Sequence, residues 1–133
     1  MKPILVVCPL KITLPRKTKK DKVIILNMNN YRNLHYIINN QSKQMFKKYV
    51  ADQLIGFKIS KPVKITYTLH AESNRKIDVA NVCCVIDKYF CDCLQELNVI
   101  KDDSSEFIPE VIYKMGSKGN RETARCEALI EEI

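Results

Sequence analysis

With 133 residues, 46% of them hydrophobic and 28% charged, the chain is long enough for one domain with a real core and too short for two ordinary ones. Its net charge of +7 divides unevenly: residues 1–77 hold 16 Lys and Arg against 3 Asp and Glu, whereas residues 78–133 hold 6 against 12, so net +13 is followed by net −6. A basic part suits a polyanion and an acidic part suits a cation, which points to nucleic acid with a divalent metal. No stretch approaches the ~20 apolar residues of a membrane span.

Residues 4–14 form a β-prone run ending at Pro15. Pro3 and Pro9 interrupt the apolar start and no small-residue cleavage site follows, so a first strand is the better reading than a signal peptide. The basic link from Arg16 to Lys22 leads into a second β-rich run, Val23 to Met28, and the two runs are expected to pair as a hairpin. Arg16, Lys17, Lys19 and Lys20 in that link are natural phosphate contacts. Asparagine favours turns, so the Asn-rich segment from Asn27 to Lys43 reads mostly as loop, with a helix beginning at Ser42 and ending near Gly56. Pro62 opens a strand in which Val63, Ile65, Tyr67 and Leu69 alternate with Lys64, Thr66, Thr68 and His70, the pattern of a sheet with one buried face. His70 falls on the polar face and is expected to be exposed.

A polar link, Glu72 to Lys76, precedes the most informative stretch, which reads as one amphipathic helix from Asp78 to Asn98. At about 100° per residue, Asp78, Asn81, Lys88 and Asp92 share one narrow stripe, while Val79, Val82, Ile86, Phe90, Cys93 and Leu97 lie on the other side. Asp78 suits an amino-terminal cap whether or not it has another role. Asp102 and Asp103 then start a turn. Phe107 to Lys114 reads as a strand, Gly116 to Asn120 as a hairpin turn, and Glu122 to Ile133 as a final strand. The six cysteines include four in the central helix but no Cys-x-x-Cys, so buried reduced thiols in a cytoplasmic protein are expected rather than zinc. No Gly-rich phosphate loop and no Ser-His-Asp or Cys-His arrangement is visible, and no small-molecule cofactor is expected.

Asp78-x-x-Asn81, then Lys88-x-x-x-Asp92-x-Leu94, then Asp102-Asp103 resembles the signature of the RusA-like Holliday-junction resolvases, small metal-dependent endonucleases of phages and prophages. Ala80 stands where that family usually has a second aspartate, and four extra residues separate the asparagine from the lysine. Four residues advance a helix by a net ~40°, so Lys88 and Asp92 stay on the Asp78 face, whereas Asp87, half a turn of the wheel away, is badly placed to substitute for the missing carboxylate.

The resemblance implies a single RusA-like nuclease domain over residues 1–133: an α+β fold with a small mixed or antiparallel sheet covered by two helices, acting as a homodimer in the host cytoplasm. It implies Mg²⁺-dependent cleavage of four-way junctions or other branched DNA, with Mn²⁺ as the alternative ion. Asp78, Asp102 and Asp103 would be catalytic metal ligands, Asn81 would orient a ligand or water, and Lys88 would stabilise phosphate charge. Asn30, Tyr31 and Arg32 resemble the family's DNA-facing amino-terminal loop. The rival readings are a non-catalytic branched-DNA-binding protein with a degenerate metal site and, more weakly, an RNA-binding module.

Overall fold

A computed structural model describes all of residues 1–133. Ten elements follow one another along the chain. β1 (Ile4–Cys8), β2 (Lys11–Leu14) and β3 (Lys22–Ile25) come first, then α1 (Met28–Asn33), α2 (Tyr36–Ala51) and a 3₁₀ turn over Asp52–Leu54. β4 (Val63–His70), α3 (Val79–Glu96), β5 (Glu110–Met115) and β6 (Arg125–Glu132) complete an α+β fold with three helices.

The main sheet has the order β1-β6-β4-β5. β6 runs antiparallel to both β1 and β4, and β5 runs parallel to β4, so the sheet is mixed. The expected closing hairpin is therefore not formed: β4 lies between β5 and β6, and the segment containing Gly116 to Asn120 crosses β4 instead of turning tightly. The registers show why, since the inward residues Cys126, Ala128 and Ile130 of β6 sit opposite the inward Leu69, Tyr67 and Ile65 of β4. Apolar side chains matched on one face set strand order more strongly than closeness in sequence.

The first β-prone run also divides. Its start, β1, joins the main sheet, and only its second half pairs with β3, from Lys11 opposite Ile25 to Leu14 opposite Lys22. The hairpin is thus formed by β2 and β3, with Arg16 to Lys20 exposed at its tip. The segment expected as loop is largely helical. Asn27 caps α1 by accepting from the Asn30 amide at 2.8 Å, and His35 caps α2 by accepting from the Ile37 amide at 3.2 Å. α2 consequently begins six residues before Ser42, itself fully buried within it. Asn side chains satisfy the orphan amides of a helix start, so an Asn-rich segment can punctuate helices as well as make loops.

β4 is as the alternation predicts, with Val63, Ile65, Tyr67 and Leu69 buried. α3 packs on that face and starts at Asp78 as expected, while Asn98, in the left-handed region at φ 58°, turns the chain away after its end. The helix is buried nearly all round. Besides the expected apolar face, Cys83, Val85, Tyr89, Cys91 and Leu94 are buried, because α1 and α2 flank it on one side and β5 on the other. All six cysteines are free and five are buried, as small hydrophobes within the core. No helix is long and apolar enough to cross a membrane.

Candidate nucleic-acid interface and acidic helix

A strip about 80° wide on α3 holds Asn81, Cys84, Lys88, Asp92 and Gln95, with Lys88 exposed to solvent and the exposed Ala80 and Glu96 flanking it on either side. Asp78 caps the helix, its Oδ1 accepting from the Ala80 amide at 3.1 Å, and its other oxygen stays open to solvent. Asp92 is spoken for: the Lys43 ammonium of α2 sits 3.1 Å from its Oδ2. That hydrogen bond holds the Lys43 ammonium in its charged form and raises its pKa. One turn on, Lys47 binds Glu96 at 2.9 Å and keeps that carboxyl below the usual range. Two of the lysines that made the amino-terminal half look basic are thus neutralised against α3.

Beyond the helix, Val99 and Ile100 are buried and both their amides donate to the Leu94 carbonyl, at 2.8 and 3.2 Å. This anchors the turn carrying the paired aspartates. Asp102 accepts from the Ser104 amide at 2.8 Å. The Ser104 hydroxyl, and after it that amide, hold the Asp102 carboxyl below the usual range, and Asp103 is exposed. Asp103 also contributes, after burial and Asp87, to pushing the Cys91 thiol up. The Leu94 carbonyl that anchors this turn is sixteen residues along α3 from Asp78, or about 24 Å at 1.5 Å per residue. Asp78 and the Asp102-Asp103 pair are therefore not brought together within one chain. No group of three or more His, Cys, Asp and Glu side chains gathers closely enough to hold a metal ion. The donor type suits Mg²⁺, which binds through one or two carboxylates plus water and substrate phosphate. The donor placement suits it only as separate single-carboxylate anchors, not as one shared site.

The carboxylate nearest in kind to a built site is Asp87, the residue that the wheel argument set aside. It is half-buried on the β5 side of α3. Its Oδ1 accepts from the Tyr67 hydroxyl at 2.6 Å and from the Cys91 thiol at 3.2 Å, and its Oδ2 accepts from the Tyr113 hydroxyl at 3.4 Å. Burial first, and then the negative partners around it, pushes the Tyr67 hydroxyl well up, and burial followed by Asp87 does the same to Tyr113. All three donors are thus locked as donors. The signal available in sequence was two tyrosines at inward strand positions facing a helix aspartate, legible only once β4 and β5 are known to be neighbours in register at Tyr67 and Tyr113.

On the basic side, Arg16, Lys17, Lys19 and Lys20 are exposed at the hairpin tip, where the Arg16 Nε donates to the Lys20 carbonyl at 2.8 Å and helps close the turn. The three residues expected in a DNA-facing loop lie on α1 and differ in availability. Asn30 is tied back, its Nδ2 donating to the Ile25 carbonyl at 2.9 Å. Tyr31 packs edge-on against Tyr89, with ring centroids 6.5 Å apart, and only Arg32 projects freely into solvent.

His70 departs from its expectation of exposure. Its ring bridges the Ser117 hydroxyl at 2.8 Å and Glu127 at 2.9 Å, and the Ser117 amide donates to Nδ1 at 3.1 Å. That amide fixes Nδ1 as an acceptor, so Nε2 carries the hydrogen and donates to Glu127. The ring also rests against Gly116, where an added Cβ would sit 2.7 Å from it. The cluster fastens the crossover after β5 to the end of β4. Set beside known proteins, the sequence matches no family model and no curated protein.

Proposed function

We propose that the protein is a structure-selective endodeoxyribonuclease of RusA-like kind, acting on four-way junctions or other branched DNA with Mg²⁺ or Mn²⁺ as its ion. The observation that carries the reading is the layout around α3. A helix begins at Asp78, carries Asn81 and Lys88 on its one solvent-facing strip, and ends in an anchored turn that displays Asp102 and Asp103. Apart from Ala80 in place of the second aspartate and the four extra residues before Lys88, the order is that of the family signature, and the exposure of Asp78, Lys88 and Asp103 is what a substrate-facing role requires. A divalent ion, when bound, would supply charge neutralisation at the phosphate and an activated water.

The chain's own residues account for the rest. The tip lysines and Arg16, with Arg32 on α1, supply sequence-independent phosphate contacts. Lys88 sets a positive charge on the same strip as Asn81, where it would offset charge building on a phosphate. Asp92, held by Lys43, positions α2 on α3 and takes no further part.

The second reading, a branched-DNA-binding protein without cleavage, is favoured by Ala80 and by the roughly 24 Å along α3 between Asp78 and the Leu94 carbonyl that anchors the aspartate turn. Labelled four-way junction, flap and duplex DNA incubated with and without Mg²⁺ separates the two. Cuts in branched DNA that need the ion support the nuclease; retained junction binding with no cuts supports the binder.

A further inference from the structure

The two edges of the main sheet are treated differently. Along β1 the outward backbone groups of Val7 are taken by a side chain: the Gln53 Nε2 donates to the Val7 carbonyl at 2.9 Å, and the Val7 amide donates to Gln53 Oε1 at 2.7 Å. That edge is closed by the 3₁₀ turn. β5, the opposite edge, has no such cover. The Gly116 amide donates to the Leu69 carbonyl at 2.7 Å, so the even-numbered residues of β5 turn their backbone groups toward β4 and Val111, Tyr113 and Met115 turn theirs outward. Val111 and Met115 are also 39% and 37% exposed, on the face that α3 covers over β4. An open edge with apolar side chains is a template for another strand.

We propose that β5 pairs antiparallel with β5 of a second copy of this chain, with Ile112 on the two-fold axis. The sequence Glu-Val-Ile-Tyr-Lys-Met selects that register. Centred on Ile112, it sets Glu110 opposite Lys114 of the partner subunit on one face, twice by symmetry, and Val111 opposite Tyr113 of the partner subunit on the other. Val111 and Tyr113 are the residues whose backbone groups point outward, so both of these pairs are hydrogen-bonded pairs, and Ile112 meets its own copy in the closer, unbonded position. Moving the axis by one residue sets Lys114 against Ile112 or leaves it without a partner. Pro109, which has no N–H to give, ends the ladder.

The axis stands perpendicular to the sheet, so both copies of α3 lie on one face of a continuous eight-stranded sheet. Two copies of Lys88 and Asp103 then face the same side, which is what paired cuts across a symmetric junction call for. Only that purpose rests on the nuclease reading; the pairing rests on the edge itself.

Sedimentation equilibrium of the full chain over a range of concentrations tests it. The expected mass is twice 15.4 kDa. Val111→Pro removes an outward N–H while sparing the bonds to β4, and is expected to give a monomer with an unchanged circular dichroism spectrum. Lys114→Glu sets like charges opposite each other and is expected to weaken association about tenfold, with Glu110→Lys added to it restoring the pair. Ile112→Cys is expected to cross-link to its own copy under mild oxidation, because unbonded cross-strand Cα atoms lie about 4.5 Å apart, within disulfide reach. A chain that is monomeric throughout overturns the proposal, as does a dimer that survives Val111→Pro and never cross-links through Ile112→Cys. A monomer that still cuts junctions overturns the pairing alone, and a β5-paired dimer that never cuts overturns the nuclease reading alone.

Discussion

The two flanks of α3 carry carboxylates in opposite conditions. On the β5 flank, Asp87 is half-buried and accepts from two tyrosine hydroxyls and a thiol. At the helix start and just beyond its end, Asp78 accepts one backbone amide and is otherwise exposed, and Asp102 accepts only from the nearby Ser104 amide and hydroxyl. A carboxylate whose lone pairs are filled by fixed donors is architecture, whereas one with open lone pairs is free to meet a cation or a substrate. The difference between a supporting residue and a working one is thus one of partners, not residue type.

The comparison is broken first by changing Asp87. Asp87→Ala strands the buried Tyr67 hydroxyl and should cost about 1–3 kcal/mol, read as a fall in denaturation midpoint, with junction binding per folded molecule unchanged. Asp78→Ala removes a helix cap and should cost about 1 kcal/mol while abolishing any cleavage. Loss of cleavage per folded molecule as complete with Asp87→Ala as with Asp78→Ala would erase the distinction between the two carboxylates. Neutralising Arg16, Lys17, Lys19 and Lys20 together should leave stability alone and flatten the dependence of log affinity on log salt, by about 0.9 for each phosphate no longer neutralised. An unchanged slope removes the hairpin tip from the interface.

The smallest effect concerns Glu127, whose carboxyl the hydrogen bond from His70, followed by the Arg125 charge, holds below its ordinary value of 4.5. A depressed folded-state value contributes stability that is present above the unfolded value and is lost as pH falls through the folded one. The midpoint of thermal unfolding should therefore drop as pH falls below about 4.5, and Glu127→Gln should shrink that drop. An identical acid limb in the variant would show that the tie between β4, β6 and the crossover contributes nothing.

What the sequence revealed follows the range of the interactions responsible. The alternation of β4, the α3 start at Asp78 and its end at Asn98 depend on local periodicity and capping, and all three are legible in order along the chain. The Asn-rich segment misleads because Asn27, Asn30, Asn33 and Asn39 commit their side chains to caps, backbone carbonyls and the Tyr89 hydroxyl, a use that composition does not distinguish from a turn. The place of β6 between β1 and β4, and with it the failure of the closing hairpin, depends on pairing residues more than fifty apart in sequence, such as Tyr67 and Ala128. The same long-range pairing brings Tyr67 and Tyr113 onto Asp87, so a wheel drawn for one helix sets Asp87 opposite Asp78 without showing what waits on that side. Lys88 and Asp78 were visible because solvent exposure on a mostly buried helix leaves a polar residue in an apolar pattern.

The most direct measurement is single-turnover cleavage of a labelled four-way junction with Mg²⁺ by the wild type, Asp78→Asn, Asp103→Asn and Lys88→Ala, with junction affinity measured in parallel. The account predicts ion-dependent cuts by the wild type, no cuts by either aspartate variant, slower cuts by Lys88→Ala, and affinities for the junction close to wild type in all three. Cleavage that persists when Asp78 and both turn aspartates are replaced would contradict it.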